Sequence, residues 1–323
     1  MEILKYLLAF GCSLAITLWV MPKYLIPFLH KLKFGQAIRP EGPESHQKKS
    51  GTPTMGGMVF VLVPILLMVI LQPSMFLDLK CLIVILAYAL YCMIGFIDDF
   101  IIVVKKDNEG LKPKYKLALQ VLVAVLFYFM YANVAQTTIT IPVIDFSFDL
   151  GFLYFFFILF MFAGASNAVN LTDGLDGLCA GTSLISLAPY IIFAILQQQT
   201  QLAIFLVAIV GALLGYLRYN AHPAKIFMGD TGSLALGGLF AAVAMVLKQE
   251  LLLVLIGGVF VMETVSVIMQ VTYFKLTKGK RIFKMTPIHH HFELCGLKET
   301  KVVLLFYCLA FIFSLLGLIL GVI

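Results

Sequence analysis

Five aspartates occur in three short segments that are otherwise rich in small and polar residues: Asp98, Asp99, Asp173, Asp176 and Asp230. Carboxylates that lie close together repel one another unless a cation sits among them. Oxygen ligands suit Mg²⁺, which usually takes one or two carboxylates together with substrate phosphates. If the three segments meet in the folded chain, the chemistry they predict is metal-assisted phosphoryl transfer, with nearby lysines complementing the anionic phosphates.

Each segment also has a simpler structural interpretation. The pair Asp98 and Asp99 could mark a solvated helix end, and the segment Asn170–Gly177 could be a plain turn, because Asn, Asp and Gly favour turns. Asp230 or Thr231 could cap the helix that follows. The occurrence of all three segments on one side of a membrane favours the functional interpretation.

Three consecutive histidines, His289, His290 and His291, form a second candidate group. Neighbouring side chains on a helix point about 100° apart, so one or two of the three can enter a site. Beside a phosphate, a histidine would donate a hydrogen bond or a proton to an anionic oxygen. A zinc site with Cys295 is the alternative, but ligands this close in sequence make a poor tetrahedron.

The loop 39–57 is rich in Gly, Pro, Thr and Lys. It is either a plain flexible loop or a flap that contacts phosphate through Lys49. Glu263 is the one clear ionisable residue in the middle of an apolar stretch, and a packing role and a groove-lining role are equally open for it.

Composition limits the elements that can position these residues. Of the 323 residues, 61% are hydrophobic and 12% are charged, whereas soluble domains carry about 25% charged residues. A soluble enzyme, a disordered chain and a nucleic-acid binder are therefore excluded, and a polytopic membrane protein remains. A membrane helix takes roughly 20 residues, so the chain is predicted to be one all-α transmembrane domain, 1–323, without disulfides.

Apolar runs separated by polar or Gly/Pro breaks predict ten transmembrane helices. They cover residues 4–29, 55–71, 79–97, 117–134, 152–169, 181–196, 202–218, 232–247, 251–275 and 302–322.

Loop charge predicts the orientation of these helices. Lys and Arg are concentrated in four alternate connections, whereas the loops 72–78, 135–151 and 197–201 contain none. The positive-inside rule places the basic loops in the cytoplasm and both termini outside the cytoplasm. All five aspartates and the histidine run then lie at the cytoplasmic face. A secondary transporter, the rival class, would instead concentrate polar groups at the bilayer midplane.

These motifs resemble those of the polyprenyl-phosphate N-acetylhexosamine 1-phosphate transferases, and the resemblance covers essentially the whole chain. The superfamily is marked by the Asp98–Asp99 pair and by the segments Asn170–Gly177 and Gly229–Ser233. Its muramoyl-pentapeptide branch is marked by Pro287–Glu293 and Ser50–Gly57.

The resemblance implies transfer of phospho-MurNAc-pentapeptide from UDP-MurNAc-pentapeptide to undecaprenyl phosphate, giving lipid I and UMP. It also implies Mg²⁺ as cofactor, a homodimer in the bilayer of the bacterial plasma membrane, and no nucleic-acid partner. The alternative within the superfamily is a UDP-GlcNAc:polyprenyl-phosphate GlcNAc-1-phosphate transferase.

The resemblance further implies roles for individual residues. Asp230 would be the principal Mg²⁺ ligand, Asp98 the base or nucleophile with Asp99 beside it, and His289 the catalytic histidine. The substrate-binding residues that it implies are Lys49, Thr54, Lys114, Asn170, Asp173, Gly174, Leu175, Asp176, Asn220, Phe227, His290 and His291.

One position departs from the superfamily pattern Asp-Asp-x-x-Lys. Ile102 stands where the lysine is expected, and Lys105 or Lys106, about one turn further on, would have to supply the charge.

Overall fold

The computed structural model describes residues 2–31, 49, 51–105, 110–132, 137–144 and 146–323. Within these ranges the α-helices are α1 Glu2–Val20, α2 Ile26–Lys31, α3 Gly57–Leu71, α4 Leu79–Lys105, α5 Pro113–Ala132, α6 Leu153–Thr172, α7 Leu178–Leu196, α8 Thr200–Asn220, α9 Gly229–Val246, α10 Glu250–Ile256, α11 Gly258–Leu276, α12 Ile288–Leu294 and α13 Glu299–Val322. A π-helical turn, Met21–Leu25, joins α1 to α2.

Among the described residues, nine helical segments are long and apolar enough to cross a membrane, with α1 and α2 counted as one. The shorter apolar helix α3 corresponds to the second predicted span, 55–71. The all-α, polytopic fold class is therefore confirmed, while the number of spans in the bilayer and the orientation of the termini stay predictions.

Several helix ends differ from the predicted ones. Helix α4 continues to Lys105, so Asp98 and Asp99 lie inside a helix and not at its end. Both side chains face the protein and are buried, which explains why the polar pair does not mark a boundary with solvent. The predicted ninth span is broken at Gly257 into α10 and α11.

Helix α9 forms the centre of the bundle, since every residue from Thr231 to Val246 is buried. Its sequence is dominated by Gly, Ala, Leu and Val, which lets neighbouring helices approach closely. The closest approach is made by α4 at Gly95, where an added Cβ would overlap the backbone oxygen of Asp230. This packing brings the end of α4 against the beginning of α9.

The end of the bundle opposite to the aspartates carries a two-stranded antiparallel hairpin, β1 Thr138–Ile141 and β2 Phe146–Asp149, which the sequence analysis did not predict. Side-chain hydrogen bonds tie the helix connections of this end together. Lys5 donates to Gln72, and the amide of Gln197 donates to the backbone oxygen of Leu247. The two ends of the molecule are thus built from separate sets of polar contacts.

Candidate active site

Three carboxylates, which we call the acid cluster, meet where α4 packs against the start of α9: Asp98, Asp99 and Asp230. One oxygen of each lies within 4.8 Å of the others. Residues 131 positions apart in the chain therefore share one site, at the end of the bundle that carries the basic connections. The acid cluster is an arrangement that can hold a metal ion.

The two adjacent aspartates of α4 are in different environments. Asp99 accepts hydrogen bonds from the backbone N–H groups of Asp230 and Thr231, at 3.1 and 3.0 Å, and from the Thr231 hydroxyl at 2.6 Å. A carboxylate at a helix N-terminus satisfies otherwise unpaired N–H groups and complements the helix dipole. Asp99 thus caps α9 from a neighbouring helix and fixes the position of Asp230.

Asp98 keeps more of its capacity to accept hydrogen bonds. Its Oδ1 accepts the backbone N–H of Leu111 at 2.9 Å, and its Oδ2 lies 3.9 Å from Nζ of Lys116. The Lys116 ammonium also contacts Asp230 directly. Asn170, in the last turn of α6, donates to Asp230 Oδ1 at 2.7 Å.

No sequence motif singles out Lys116, and the buried face of α5 that identifies it is apparent only in the structure. Helix α5 buries Gln120, Ala124, Phe127 and Tyr131, which repeat at helical spacing. Lys116 lies one turn before Gln120 on the same stripe and therefore points inward. Lys114 lies off the stripe and is exposed, with its ammonium 5.0 Å from the centre of the Tyr115 ring.

The position that the missing family lysine would occupy is taken by Ile102 in α4. Lys105 is exposed, and Lys106 lies outside the described residues. Within the described chain it is Lys116, from a different helix, that brings positive charge to the acid cluster.

The segment Asn170–Gly177 connects the acid cluster to two other groups of side chains. Burial and the neighbouring carboxylates of Asp230, Asp99 and Asp176 raise the pKa of Asp173 to about 8. Gly174 lies against the His289 ring, because an added Cβ would overlap its Nε2 atom. Asp176 belongs to the second group.

This second group, which we call the Lys49 cluster, consists of Lys49, Asp176, His222 and Glu299. The ammonium of Lys49 donates to Asp176 at 2.7 Å and to Glu299 at 2.6 Å. His222 Nδ1 lies 3.1 Å from Asp176 and 3.4 Å from Glu299. The single ammonium of Lys49 offsets one of the two carboxylate charges, and ligand atoms of Asp176, His222 and Glu299 lie within 4.8 Å of one another, so this cluster too could hold a cation. Residues 39–48 and residue 50 of the predicted flap lie outside the described residues.

The three histidines point in three directions, as expected for consecutive residues of helix α12. His289 is fully buried and its Nδ1 lies 2.9 Å from Glu263 Oε1. His290 is half-buried and pairs with Glu293 at 3.1 Å. His291 turns away from them, accepts the backbone N–H of Lys284 and lies 3.7 Å from the Cys295 sulfur.

The remaining predicted substrate residues differ in how available their side chains are. Thr54 is buried beside Gly229. Asn220 uses its amide on backbone groups, accepting from Gly177 at 3.1 Å and donating to Ile226 at 2.9 Å. Leu175 packs in an apolar cluster with α13, whereas Phe227 is half-buried. Direct substrate contact by any of these residues stays a prediction.

The acid cluster is suited to a hard divalent cation, because its donors are carboxylate oxygens from two helices held in place by neighbouring hydrogen bonds. Both carboxylate oxygens of Asp99 accept hydrogen bonds from the start of α9, whereas the side chains of Asp230 and Asp98 make fewer contacts. A cation bound here would compete with Lys116 for Asp230. The residues present therefore fit a divalent metal centred on Asp230.

Comparison with known proteins gives two consistent results. Residues 81–248 match the family described as glycosyl transferase family 4, a stretch that contains the acid cluster and the segment Asn170–Gly177. Proteins named phospho-N-acetylmuramoyl-pentapeptide-transferase from Bacillus anthracis, Bacillus thuringiensis (strain Al Hakam) and Bacillus cereus (strain AH187) are each 54% identical to this chain over 316 residues. The matches cover 97% of this chain and 96% of each relative.

Proposed function

We propose, from the premise that this chain belongs to the phospho-N-acetylmuramoyl-pentapeptide-transferases of glycosyl transferase family 4, that it attaches phospho-MurNAc-pentapeptide to undecaprenyl phosphate. The family makes it a phosphoglycosyl transferase and a multi-pass protein of the bacterial plasma membrane. UDP-MurNAc-pentapeptide is the proposed donor, and lipid I and UMP are the proposed products. Membership in an enzyme family argues against the secondary transporter.

One observation carries the proposal. Three carboxylates and Lys116 meet at the end of the bundle where the connections are basic. An anionic acceptor and an anionic donor can both approach such a site only if positive charge balances theirs. Lys116 supplies part of that charge from the protein itself.

The chemistry that we assign to the side chains is an in-line displacement at phosphorus. Asp98 takes the proton of the lipid phosphate, and the freed oxygen attacks the β-phosphorus of the nucleotide sugar. The bond between this phosphorus and the bridging oxygen breaks, and its electron pair leaves on the phosphate of UMP. Asp98 suits the role better than Asp99, whose oxygens already accept three hydrogen bonds.

A two-step route through an aspartyl-phosphate intermediate is the competing scheme. Incubation with UDP-MurNAc-pentapeptide alone distinguishes the two, because a trapped phosphosugar-enzyme adduct would overturn the single displacement.

Mg²⁺, the proposed cofactor, would be held by Asp230 with the carboxylates beside it, and when bound it would neutralise charge on the diphosphate. The protein's own contribution is to keep these carboxylates in place. Asp99 holds the first turn of α9, and Asn170 holds Asp230.

The test uses the purified full-length protein with Mg²⁺, undecaprenyl phosphate and UDP-MurNAc-pentapeptide, and it measures UMP release and lipid I formation. We expect Asp230→Asn to lower turnover by at least about 100-fold, because it removes the carboxylate that would hold the divalent cation at the reacting phosphates. Asp149→Asn, on the exposed hairpin at the other end of the molecule, is the matched control and should be unchanged.

The same assay decides between the two branches of the superfamily. Turnover of UDP-GlcNAc in preference to UDP-MurNAc-pentapeptide would establish the alternative substrate and refute the proposed one. Near-normal turnover by Asp230→Asn would remove Asp230 from the mechanism. The homodimer implied by the resemblance is checked by measuring the mass of the protein in detergent.

A further inference from the structure

Glu263 and His289 form a pair that the proposed chemistry leaves without a role. Both side chains are completely buried, and Glu263 Oε1 lies 2.9 Å from His289 Nδ1. Glu263 comes from the membrane helix α11, whereas His289 lies in the short helix α12 that follows it. A buried carboxylate is retained only where its interactions offset the cost of removing it from water.

Each member of the pair has one polar atom with no hydrogen-bond partner among the described residues. These atoms are Glu263 Oε2 and His289 Nε2. An unsatisfied buried polar group is costly, so a fully buried nitrogen without a partner indicates that something else meets it during function.

The unpartnered nitrogen of His289 is directed at the segment Asn170–Gly177. Gly174 leaves room for the ring, because an added Cβ would overlap Nε2 and lie close to Cε1. The same segment carries Asn170, which donates to Asp230 in the acid cluster. Nε2 of His289 therefore faces the segment Asn170–Gly177, which also contacts the acid cluster. Nδ1 faces the other way, toward Glu263.

We propose that Glu263 is a positioning residue, which fixes the ring and the tautomer of His289 so that Nε2 is presented to the substrate. A carboxylate beside Nδ1 requires a proton on that nitrogen, so the neutral ring keeps its lone pair on Nε2. When Nε2 takes up a proton, the same carboxylate balances the new charge and Nε2–H can donate to an anionic phosphate oxygen.

This inference rests on the proposed function, because it assigns His289 a partner among phosphate oxygens. It differs from a purely structural role, in which the pair only fastens α12 to α11. A structural role predicts a loss of stability with no specific change in turnover, whereas a positioning role predicts a loss of turnover that depends on His289.

The first test compares Glu263→Gln, His289→Gln and the double variant in the UMP-release assay. In Glu263→Gln the amide can turn its NH₂ toward Nδ1 and reverse the tautomer. We expect kcat to fall by at least about 10-fold with little change in the KM for the nucleotide sugar, as when a carboxylate that orients a catalytic imidazole is lost. Glu250→Gln is the matched control, since it is also a buried glutamate but pairs with Tyr154 and Lys248 at the opposite end.

The double variant shows whether Glu263 acts through His289 or independently of it. If Glu263 acts through His289, the double variant is no slower than His289→Gln alone, because the carboxylate has nothing left to position. Independent effects would multiply and make the double variant slower still. Multiplying effects, or a Glu263→Gln variant as active as the wild type, would overturn the proposal.

The second test does not require activity, and it uses a folded variant only to assign one signal. Nitrogen-15 NMR of the wild-type protein labelled at its six histidines reports which ring nitrogen carries a proton, and the signal of His289 is the one absent from His289→Gln or, failing that, from His289→Asn. A proton on Nδ1 is expected, with or without a second one on Nε2. A proton on Nε2 alone would overturn the proposal. A wild-type protein that releases no UMP from any nucleotide sugar would instead refute the proposed function.

Discussion

At the scale of single residues, neighbours of the same type have different surroundings. The carboxylate of Asp99 accepts hydrogen bonds from the first turn of α9. Asp98, one position earlier, faces Lys116 and the backbone of Leu111. Among the histidines, His289 meets a buried glutamate and His291 turns toward the connecting loop. The identity of a side chain therefore predicts the chemistry available to it, and its neighbours decide whether that chemistry is used.

The two lysines of α5 give a direct test of this point. Lys116→Met leaves Asp98 and Asp230 without their lysine partner, so we expect turnover to fall by about 100-fold. Lys114→Met removes an exposed ammonium that lies over the Tyr115 ring, and we expect it to change turnover by less than about twofold. The UMP-release assay on both variants measures the difference. A larger loss in Lys114→Met would show that the lysine implied by the family resemblance is the functional one.

The sequence predicts the features that leave a local pattern in the chain, and it does not predict those that depend on packing between distant helices. Apolar runs predicted the membrane helices, because a bilayer demands about 20 apolar residues. The aspartates stood out because acids are rare in such a chain. Lys116 was missed because the buried stripe of α5 becomes evident only when one knows which face meets α4 and α6. Glu263 was noticed as a buried acid, but its partner is 26 residues away and no periodicity links them.

At the scale of elements, the contact between α4 and α9 sets the geometry of the acid cluster. Gly95 allows the two backbones to approach, and Asp99 then reaches the unpaired N–H groups at the start of α9. The predicted start of α9, at residue 232, was too late because the first N–H groups of this helix are capped from another helix and not by a local capping signal. Asp230 thus lies inside the first turn of α9 and its backbone is held by α4.

Gly95→Ala tests this packing. Its added Cβ would overlap the backbone of Asp230, and overpacking of this kind costs about 1–3 kcal/mol. We expect a lower melting temperature in detergent together with lower turnover, since α9 must move away from the aspartates of α4. Gly164→Ala is the control, because it lies in another membrane helix and its added Cβ would meet nothing within 4 Å. A Gly95→Ala variant that keeps both properties would show that the close approach is not required.

At the scale of the whole molecule, polar chemistry is divided between two ends. The end with the acid cluster also carries the Lys49 cluster, the histidines and most of the basic residues. The other end carries the hairpin and a small network in which Glu250 pairs with Tyr154 and Lys248. Such a division lets a nucleotide sugar from the cytoplasm and a lipid phosphate in the bilayer meet at one surface, provided that this surface faces the cytoplasm.

The orientation is tested with cysteine accessibility in spheroplasts and in inside-out vesicles. Cys295 is exposed on the end that carries the histidines, whereas Ser147 is exposed on the hairpin. The positive-inside rule predicts that a membrane-impermeant maleimide labels Cys295 only in inside-out vesicles. It should label Ser147→Cys, made in a Cys295→Ser background, only from outside the spheroplast.

The Cys295→Ser protein itself is the control for the remaining five cysteines. Four of them are buried or half-buried in helices, and Cys308 lies within the membrane helix α13. Labelling of Cys295 from outside would invert the orientation and place the acid cluster where no cytoplasmic nucleotide sugar can reach it.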